Sequence, residues 1–451
     1  MCGVAAWLGR DAASAVYELL LELQHRGQEA AGIAFLAGGG VRLVGGPGLV
    51  QEAIRLPTAA SGAWAAIGHV RYSTSGGYGG EHYQPVAGSK KLVYIAYNGN
   101  IVNYRELGRE LLGRRYTWDA QLVADLVEAL YLEQGSLADA LREAARLLRG
   151  AYSLVAVTAR GELAAARDPY GVRPLAYAVG DGYAAVASET AALDSMGLPW
   201  REVGAGRMLH CNGSPKDCVE TGLAPGHEPR PCAFEYVYFL RPDSVFEGVE
   251  AHAARLEMGR RLARRDTVEA DLVAPVPDSG RSAAIGYAME RGLPYTEVLY
   301  RNRYAGRAFI APPGERNGRL KRKFNPIRST TWGRRIILVD DSVVRGATSR
   351  WLAHILRRSG AREVHLRVAS PPVVMPCFLG VDMPSRGELV AHGRSVDEVA
   401  RALGVDSILY LGLRDLEEAV GRRLCLGCFG GAYPLPLDVP RLEKVFTEGR
   451  R

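Results

Sequence analysis

The sequence lacks any long apolar run. No stretch of its 451 residues approaches the roughly 18 consecutive apolar residues that a helix needs to span a bilayer. The first residues also lack a basic segment followed by an apolar core, which is the pattern of a secretory signal. These absences argue against a membrane partner and predict a cytoplasmic protein.

Cysteine is scarce and odd in number. Seven cysteines in a chain with no sign of export do not indicate a disulfide framework, and there is no internal repeat or low-complexity block. Hydrophobic residues make up 47% and charged residues 23% of the chain, which is typical of a globular protein with room for two or three domains. The net charge of +7 favours anionic ligands, either phosphates or nucleic acid.

The chain divides at residues 211–233, which are rich in Pro and Gly and predict a connector. Before the connector, short β-like runs such as "AAIGHVRY" stand beside amphipathic helices, one of them predicted over residues 119–134 with Asp119 as its N-cap. This pattern predicts stacked sheets with covering helices. After the connector, residues 271–292 and 334–360 each pass from an apolar strand through a polar turn into a helix, which predicts a parallel sheet covered on both faces.

Position 2 is a cysteine followed by glycine. If Met1 is removed, Cys2 carries a thiol and a free α-amine on the same carbon. An unperturbed α-amine titrates at about 7.7–8.0, so it can act as a base near neutral pH. One residue would then supply both nucleophile and base, as in N-terminal-nucleophile enzymes. Taken alone, a cysteine at this position is more often an accident than a nucleophile, and the rest of the chain has to decide between the two interpretations.

A strand, two acids and a turn form a second chemical motif. The run "IILV" leads into Asp340 and Asp341, then into "SVVRGATS" and a helix. Such a turn presents backbone N–H groups to an anion where the helix begins. Gly346 allows close approach of the backbone, and Thr348 and Ser349 add hydroxyl donors. The adjacent acids can hold sugar hydroxyls, and they can hold Mg²⁺ through water.

This segment resembles the phosphoribosyl pyrophosphate (PRPP) motif of the type I phosphoribosyltransferases, and it is most similar to the form found in the amidophosphoribosyltransferase family. Members of that family begin their mature chain with Cys-Gly, as Cys2 and Gly3 do here. The resemblance runs nearly end to end, in order, through "LQHRGQEAAGI", "GHVRYSTSG", "YNGNIVNY", "RDPYGVRPL", "FEYVYFLRPDS", "NRYAGRAFI", "VDDSVVRGATS", "ASPPVVMPCF" and "CLGCFGGAYP".

The resemblance implies two domains. Residues 2–230 would form a class II glutamine amidotransferase domain, an α+β N-terminal-nucleophile (Ntn) hydrolase sandwich. Residues 231–451 would form an α/β type I phosphoribosyltransferase domain. Together they would convert PRPP, glutamine and water into 5-phosphoribosylamine, glutamate and pyrophosphate, the first step of de novo purine synthesis. The family also implies purine nucleotides as feedback inhibitors, a homo-oligomer (dimer or tetramer) and no nucleic-acid partner.

The resemblance assigns roles in a glutamine site to five residues. Cys2 is the nucleophile that attacks the glutamine side-chain amide, forming a thioester as ammonia leaves. The side chain of Asn98 and the N–H of Gly99 supply the oxyanion donors. Arg71 matches the residue that binds the substrate carboxylate, and Asp119 matches the acid that binds its ammonium. His25, in "LQHRGQ", is expected to be structural rather than a general base.

The resemblance also implies a PRPP site in the second half. Asp340 and Asp341 match the acids assigned to ribose and Mg²⁺, and Ser279 in "PVPDSG" matches a residue of the metal site. Residues 301–325 are basic and interrupted by Gly and Pro; they are either a solvated loop or a lid over PRPP that excludes water. The residues expected to bind this substrate are Arg303, Arg307, Arg345, Gly346, Thr348 and Ser349.

Four cysteines form a separate pattern. Cys425 and Cys428 make a C-x2-C pair, whereas Cys232 and Cys377 lie far away in sequence. Four thiolates can hold a structural Zn²⁺ or an Fe–S cluster, and spacing does not decide between them. Some family members carry a [4Fe–4S] cluster on cysteines in these contexts, so the resemblance favours the cluster, with zinc as the alternative. The two cysteines of the connector, Cys211 and Cys218, match nothing in the family.

Two other classes of protein remain as alternatives. Another class II amidotransferase would need an ATP pyrophosphatase domain, as in asparagine synthetase, or a sugar-isomerase half, as in glucosamine-phosphate synthase, and neither is visible. A non-catalytic PRPP-sensing regulator that binds nucleic acid would have no need of the glutamine-site residues. The chain departs from the family pattern at Tyr97, where a His is common, at Trp118 beside Asp119, and at Ala347, where a Thr is usual.

Overall fold

The computed structural model describes residues 1–72, 82–302, 323–383, 385–431 and 433–448. Within these residues the strands are β1 Gly3–Gly9, β2 Ala30–Ala37, β3 Gly40–Pro47, β4 Ala65–Arg71, β5 Val86–Ala87, β6 Val93–Ile101, β7 Gly150–Thr158, β8 Glu162–Arg167, β9 Ala176–Gly180, β10 Tyr183–Ala187, β11 Arg201–Glu202, β12 Arg207–Asn212, β13 Val219–Gly222, β14 Val245–Phe246, β15 Val249–Glu250, β16 Leu272–Pro275, β17 Leu299–Arg301, β18 Phe324–Pro326, β19 Arg335–Asp340, β20 Glu363–Val368 and β21 Ser407–Tyr410.

The α-helices of the same residues are α1 Ala12–Glu22, α2 Val50–Ala53, α3 Tyr104–Glu110, α4 Asp119–Gln134, α5 Leu137–Leu147, α6 Thr190–Asp194, α7 Ala251–Arg264, α8 Arg281–Arg291, α9 Arg328–Thr331, α10 Ala347–Arg358, α11 Val396–Leu403, α12 Leu413–Val420, α13 Gly427–Gly430 and α14 Val439–Glu448. Short turns of 3₁₀ helix lie at Thr58–Gly62, Pro215–Asp217 and Arg386–Glu388, and a π-helical turn lies at Glu235–Phe239. In the part of the chain described, no helix is long and apolar enough to cross a bilayer.

The N-terminal half is a sandwich of two antiparallel sheets. One has the strand order β11-β9-β10-β1-β4-β2-β3 and the other β13-β12-β8-β7-β6-β5. Alternate residues of β1 show how the layers form: Val4 faces the core between the sheets, whereas Ala5 packs under α1. On the other sheet, α4 and α5 cover the outer face. The stacked sheets with covering helices predicted from the sequence are confirmed.

The C-terminal half contains a parallel sheet with the order β16-β19-β20-β21. Both faces are buried, because Ile336 and Leu338 pack against α10 and α11 whereas Ile337 and Val339 pack against α7 and α8. A strand that is buried on both sides carries a continuous apolar run, which is why the sequence signal here is strong. Both strand–turn–helix units predicted from the sequence are present, and the parallel sheet is confirmed.

The connector differs from the expectation. Its first residues continue strand β12, and Val219–Gly222 form β13, which pairs antiparallel with β12 at the edge of the second sheet. The turn between these strands brings Cys211 and Cys218 together, with Cα atoms 4.0 Å apart, and they form a disulfide. The sequence analysis expected no such pairing. Strand β13 is mostly exposed, so it carries no apolar pattern that could have revealed the hairpin.

Buried ion pairs join the two halves. Arg26 pairs with Glu189 and, at 2.8 Å, with Glu235, and Arg173 lies 3.5 Å from the same Glu235 oxygen. All four side chains are fully buried. Removing one partner from such a set leaves a buried charge without compensation, which is strongly destabilising. The halves are therefore held in one relative position next to the N-terminus.

Candidate active sites

Cys2 immediately precedes the central strand β1, which runs between β10 and β4. Its backbone N–H donates to Oδ1 of Asn98 over 3.3 Å, and its thiol lies 3.5 Å from the carbonyl oxygen of Tyr72. The Nε of Arg26 donates to the Cys2 carbonyl oxygen over 2.9 Å. Contacts from β6 and from the loop after α1 therefore fix the backbone of Cys2, while its side chain lies at the edge of a cavity.

Met1 is completely buried next to Cys2. Burial lowers the pKa of its α-ammonium to about 5, since the charged form is poorly solvated there, and the neighbouring Arg26 and Arg173 act in the same direction. The Met1 α-amine is therefore neutral near pH 7. After loss of Met1, the free α-amine would be that of Cys2, on the same carbon as the thiol side chain.

An oxyanion can be stabilised on β6. Asn98 is fully buried, and its Nδ2 has no hydrogen-bond partner among the described residues. A buried amide donor without a partner costs free energy unless a ligand completes it. Gly99 follows in the chain and lines the cavity with Cys2. The arrangement places one unpartnered donor, Asn98 Nδ2, on a residue that is hydrogen-bonded to Cys2, and puts Gly99 in the lining of the same cavity.

Groups of opposite charge line the same cavity. Arg71, at the end of β4, is 4% exposed and Asp119, at the start of α4, is 2% exposed. This pair can bind the carboxylate and the ammonium of a free amino acid. The full lining is Cys2, Arg71, Tyr72, Gln84, Tyr97, Gly99, Trp118 and Asp119. The cavity thus brings together four of the five residues that the sequence analysis assigned to one site, and the fifth, Asn98, adjoins it through its hydrogen bond with the Cys2 N–H.

Asp119 is the first residue of α4 rather than its N-cap, which is Trp118, so the predicted capping role is wrong. Its Oδ2 accepts hydrogen bonds from the hydroxyl of Tyr97 and, over 3.2 Å, from the N–H of Ile101. Burial, together with the Asp119 carboxylate, raises the pKa of Tyr97 well above its usual value. The phenol therefore stays protonated and orients the carboxylate.

Two residues beside this site were missed by the sequence analysis. Gln84 accepts the N–H of Tyr97 over 2.8 Å and so fixes the strand that carries Asn98. Arg26 holds the carbonyl of Cys2, and its only sequence signal is its place in "LQHRGQ". The neighbouring His25 is partly exposed, and its Nε2 lies 2.7 Å from Glu189 of the buried ionic set.

The second site lies at the carboxyl ends of β16 and β19. Asp340 ends β19 and Asp341 follows it; both are buried, and a hydrogen bond joins Asp341 to Ser279, which follows β16. Burial, followed by the charge of its neighbour, raises the pKa of Asp340 well above its usual value, and burial also raises the pKa of Asp341. Two desolvated adjacent carboxyl groups favour a cation or hydroxyl donors between them.

The turn after these acids leads into α10. Gly346 has a φ of 76° and is the N-cap of that helix, and a Cβ at this position would lie 2.6 Å from Leu403. Thr348 and Ser349 lie in the first turn, where backbone N–H groups have no partner within the helix. Arg345 pairs with Glu388 over 3.0 Å. Arg303 and Arg307 lie outside the described residues.

The four cysteines of the C-x2-C pattern come from three segments and lie in one region. Cys232 and Cys425 form an isolated backbone bridge, and the backbone carbonyl oxygen of Cys428 accepts the N–H of Val374 over 3.0 Å. Burial raises the pKa of Cys232, Cys425 and Cys428, and their thiols and that of Cys377 interact with one another. In the described residues, no group of three or more His, Cys, Asp or Glu is arranged for metal binding.

Comparison with known proteins decides the family. Residues 69–195 match the family model of a glutamine amidotransferase domain. The amidophosphoribosyltransferase of Methanothermobacter thermautotrophicus is 42% identical over 98% of this chain and 97% of its own length. The chain belongs to the amidophosphoribosyltransferase family. This confirms the family to which the sequence motifs pointed.

Solved structures of amidophosphoribosyltransferases share the fold. The glutamine PRPP amidotransferase from B. subtilis, complexed with ADP and GMP, is 37% identical, with a TM-score of 0.86 over 97% of this chain and 99% of its own. A structure described as the allosteric regulatory enzyme of purine biosynthesis is also 37% identical, with a TM-score of 0.87 over 98% and 99%. The predicted pairing of an Ntn hydrolase sandwich with a type I phosphoribosyltransferase fold is confirmed.

Proposed function

We propose that this amidophosphoribosyltransferase converts PRPP, glutamine and water into 5-phosphoribosylamine, glutamate and pyrophosphate, as the first step of de novo purine synthesis. The observation that carries the proposal is the cavity of the N-terminal half. There Cys2 shares one cavity with Arg71, Gly99 and Asp119, and the Asn98 side chain, whose Nδ2 has no partner among the described residues, accepts the Cys2 N–H. A nucleophile, an oxyanion donor and two opposite charges are what hydrolysis of the side-chain amide of a free amino acid requires.

Two domains would divide this work. We place the glutaminase domain at residues 2–230 and the phosphoribosyltransferase domain at residues 231–451. The last strand of the two-sheet sandwich ends at Gly222, and the parallel sheet β16-β19-β20-β21 with the helices that cover it lies entirely after Glu250.

In the first half-reaction, Cys2 Sγ attacks the side-chain amide carbon of glutamine while its own α-amine accepts the thiol proton. The oxyanion that forms would accept hydrogen bonds from Asn98 Nδ2 and the Gly99 N–H. Return of the proton to the nitrogen releases ammonia and leaves a thioester, which water then hydrolyses to glutamate. Arg71 and Asp119 hold the α-carboxylate and α-ammonium throughout, so they contribute to binding more than to the chemical step.

In the second half-reaction, ammonia displaces pyrophosphate from carbon 1 of PRPP. Gly346, Thr348 and Ser349 would bind a phosphate at the start of α10, and the acids at the end of β19 would bind the ribose hydroxyls. Arg345, Arg303 and Arg307 are proposed as further substrate contacts. The leaving group is already activated, so positioning and neutralisation of charge would do most of the work.

Mg²⁺ is the proposed metal of this site. The oxygen donors of Asp340, Asp341 and Ser279 fit it, because two buried adjacent carboxylates are unfavourable without a cation. When bound, the ion would neutralise the charge that develops on pyrophosphate.

A [4Fe–4S] cluster on Cys232, Cys377, Cys425 and Cys428 is the proposed second cofactor, with zinc as the alternative. Four neighbouring thiols, three of them buried and that of Cys377 half-buried, are a suitable donor set for either metal centre. Burial lowers the pKa of Arg173, but interactions with several of these thiols more than offset that effect and raise it overall. The Arg173 guanidinium would compensate the negative charge of the thiolates. The cofactor would tie three distant segments of the chain together.

Regulation and assembly follow the family. The B. subtilis relative was solved with ADP and GMP. We propose that purine nucleotides are feedback inhibitors of this chain also, and that it forms a homo-oligomer, either a dimer or a tetramer.

The test is incubation of the protein with glutamine, PRPP and Mg²⁺, followed by assays of glutamate and pyrophosphate. We expect both products, with pyrophosphate release dependent on PRPP and on a nitrogen donor. A protein that binds PRPP without releasing pyrophosphate would instead support the regulator class.

A further inference from the structure

A short segment of the C-terminal half lies against strand β6, which carries the oxyanion donors of the other half. This segment, residues 377–380, is called the buttress segment below. The Nδ2 of Asn100 donates a hydrogen bond of 2.8 Å to the carbonyl oxygen of Phe378. Both residues are almost fully buried. The hydrogen bond therefore joins the two halves away from water.

Gly380 makes a closer contact with the same strand. Its φ is 105°, which residues with a side chain rarely adopt. A Cβ at this position would lie 2.8 Å from the carbonyl carbon of Gly99 and 2.9 Å from its oxygen. The two backbones thus meet without any intervening side chain. Any residue larger than glycine at position 380 would have to displace either the buttress segment or the peptide of Gly99.

The buttress segment is itself held firmly. Arg173 donates to the carbonyl oxygen of Leu379, and the Leu379 N–H lies 3.4 Å from the Sγ of Cys377. Arg173 is fully buried and also lies close to Glu235, which pairs with Arg26. The segment therefore presents a rigid surface to β6 rather than a loop that could yield.

We infer that the buttress segment positions the oxyanion donors of the glutaminase site, with Gly380 and Phe378 acting through Gly99 and Asn100. Neither Gly380 nor Phe378 lines the cavity beside Cys2, so both are positioning residues. This inference rests on the proposed function of that cavity. Its consequence is that a segment of the phosphoribosyltransferase half tunes the chemistry of the glutaminase half.

Oxyanion donors act mainly in the transition state, so their displacement lowers kcat rather than raising KM. The groups proposed to bind glutamine, Arg71 and Asp119, lie on β4 and α4, and Asp119 contacts β6 at Tyr97 and Ile101 rather than at Gly99 or Asn100. Ammonia added from solution bypasses the glutaminase altogether. A displaced donor therefore predicts a specific pattern: lower glutamine-dependent kcat, unchanged KM for glutamine and unchanged synthesis from ammonium salts.

The first test compares Gly380→Ala with Gly387→Ala. Gly387 is exposed, and a Cβ there meets nothing within 4 Å. Removing a whole oxyanion donor costs about 10²–10³ in kcat, so a displaced one should cost about tenfold to a hundredfold. We expect this loss in Gly380→Ala with glutamine only, and wild-type values for both nitrogen donors in Gly387→Ala. Iron or zinc content should equal that of wild type in both, which separates the effect from loss of the thiol-bound metal.

The second test is Asn100→Asp, which keeps the size of the side chain but faces the Phe378 carbonyl with an acceptor. It should show the same kcat loss with glutamine, and it remains informative if Gly380→Ala fails to fold. Hydrogen–deuterium exchange of the peptide spanning residues 97–101 should be faster in both variants than in wild type and Gly387→Ala. This readout does not depend on activity, so it tests the contact even if the wild type lacks the proposed reaction.

Two outcomes would overturn the inference. One is wild-type glutamine kcat together with unchanged exchange in both variants. The other is an equal loss of glutamine-dependent and ammonia-dependent synthesis, which indicates a general structural role.

Discussion

Cys2 and Asn98 lie 96 positions apart in the chain, yet the backbone N–H of Cys2 donates to the side-chain oxygen of Asn98 over 3.3 Å. The amide of Asn98 is thereby oriented, since its oxygen is engaged and its Nδ2 is left for another acceptor. One hydrogen bond between the two halves of the sandwich thus orients both the proposed nucleophile and the proposed oxyanion donor. This arrangement is preorganised, which is what makes such donors effective.

Cys2→Ala should abolish synthesis of 5-phosphoribosylamine from glutamine and leave synthesis from ammonium salts intact. Only the thiol of the glutaminase reaction is lost, and the PRPP site has no part in it. Parallel assays with the two nitrogen donors measure this, and mass spectrometry of the wild type should show that Met1 is absent. Full activity of a protein that retains Met1 would contradict the α-amine as the base.

Tyr97→Phe should raise KM for glutamine about five- to tenfold, because a hydrogen bond that orients the Asp119 carboxylate is worth about 1–1.5 kcal/mol. Synthesis from ammonium salts should not change. Tyr94→Phe is the matched control: it lies on the same strand but packs between the two sheets, so KM should stay at the wild-type value. Equal effects of both variants would argue against a role for Tyr97 in binding.

Asp340→Asn and Asp341→Asn should each lower activity with glutamine and with ammonia alike, since both donors use one PRPP site. We expect losses of at least tenfold, as each variant removes a buried negative charge beside the proposed metal. Asp397→Asn, exposed in the first turn of α11, is the control and should keep full activity. Loss of glutamine use alone would place the acids elsewhere than in the PRPP site.

Cys425→Ser and Cys428→Ser should reduce the yield of folded protein more than the chemistry of the remaining enzyme. Their metal would join segments far apart in the chain, and closing long loops stabilises a fold. Anaerobically purified protein should be brown and contain iron and acid-labile sulfide, and the two variants should lose both. Cys218→Ser, whose sulfur is in the disulfide, should retain the metal. A colourless, zinc-containing, air-stable protein with full activity would refute the cluster.

His69 should make the protein less stable in mild acid. Burial, reinforced by the nearby Arg71, lowers the pKa of His69 to about 3 from an ordinary value of 6.5. Between pH 3 and pH 6.5 the unfolded chain binds more protons at His69 than the folded chain does. The free energy of unfolding therefore has its full value above about pH 6.5 and decreases as the pH falls below it. The decrease is about 2 kcal/mol at pH 5. Urea unfolding at pH 7 and pH 5 should show a smaller pH difference in His69→Gln than in wild type, and equal differences would contradict this.

The local elements and the family motifs could be predicted from the sequence. Helix α4 spans residues 119–134 as expected, and the strand, acids and helix around Asp340 lie where the apolar run and the turn residues placed them. These features depend on neighbours within a few positions, through helical periodicity, continuous apolar strands and turn chemistry.

Tertiary structure decided the features that depend on distant partners. The pairing of Arg26 with Glu235, the disulfide of Cys211 with Cys218 and the contact of Gly380 with Gly99 leave no periodic signal. A buried charge or a glycine in a close contact is understandable only once its partner is known, because burial without that partner would be unfavourable. Packing of the two halves creates these partners, and the chain order of the residues does not reveal them.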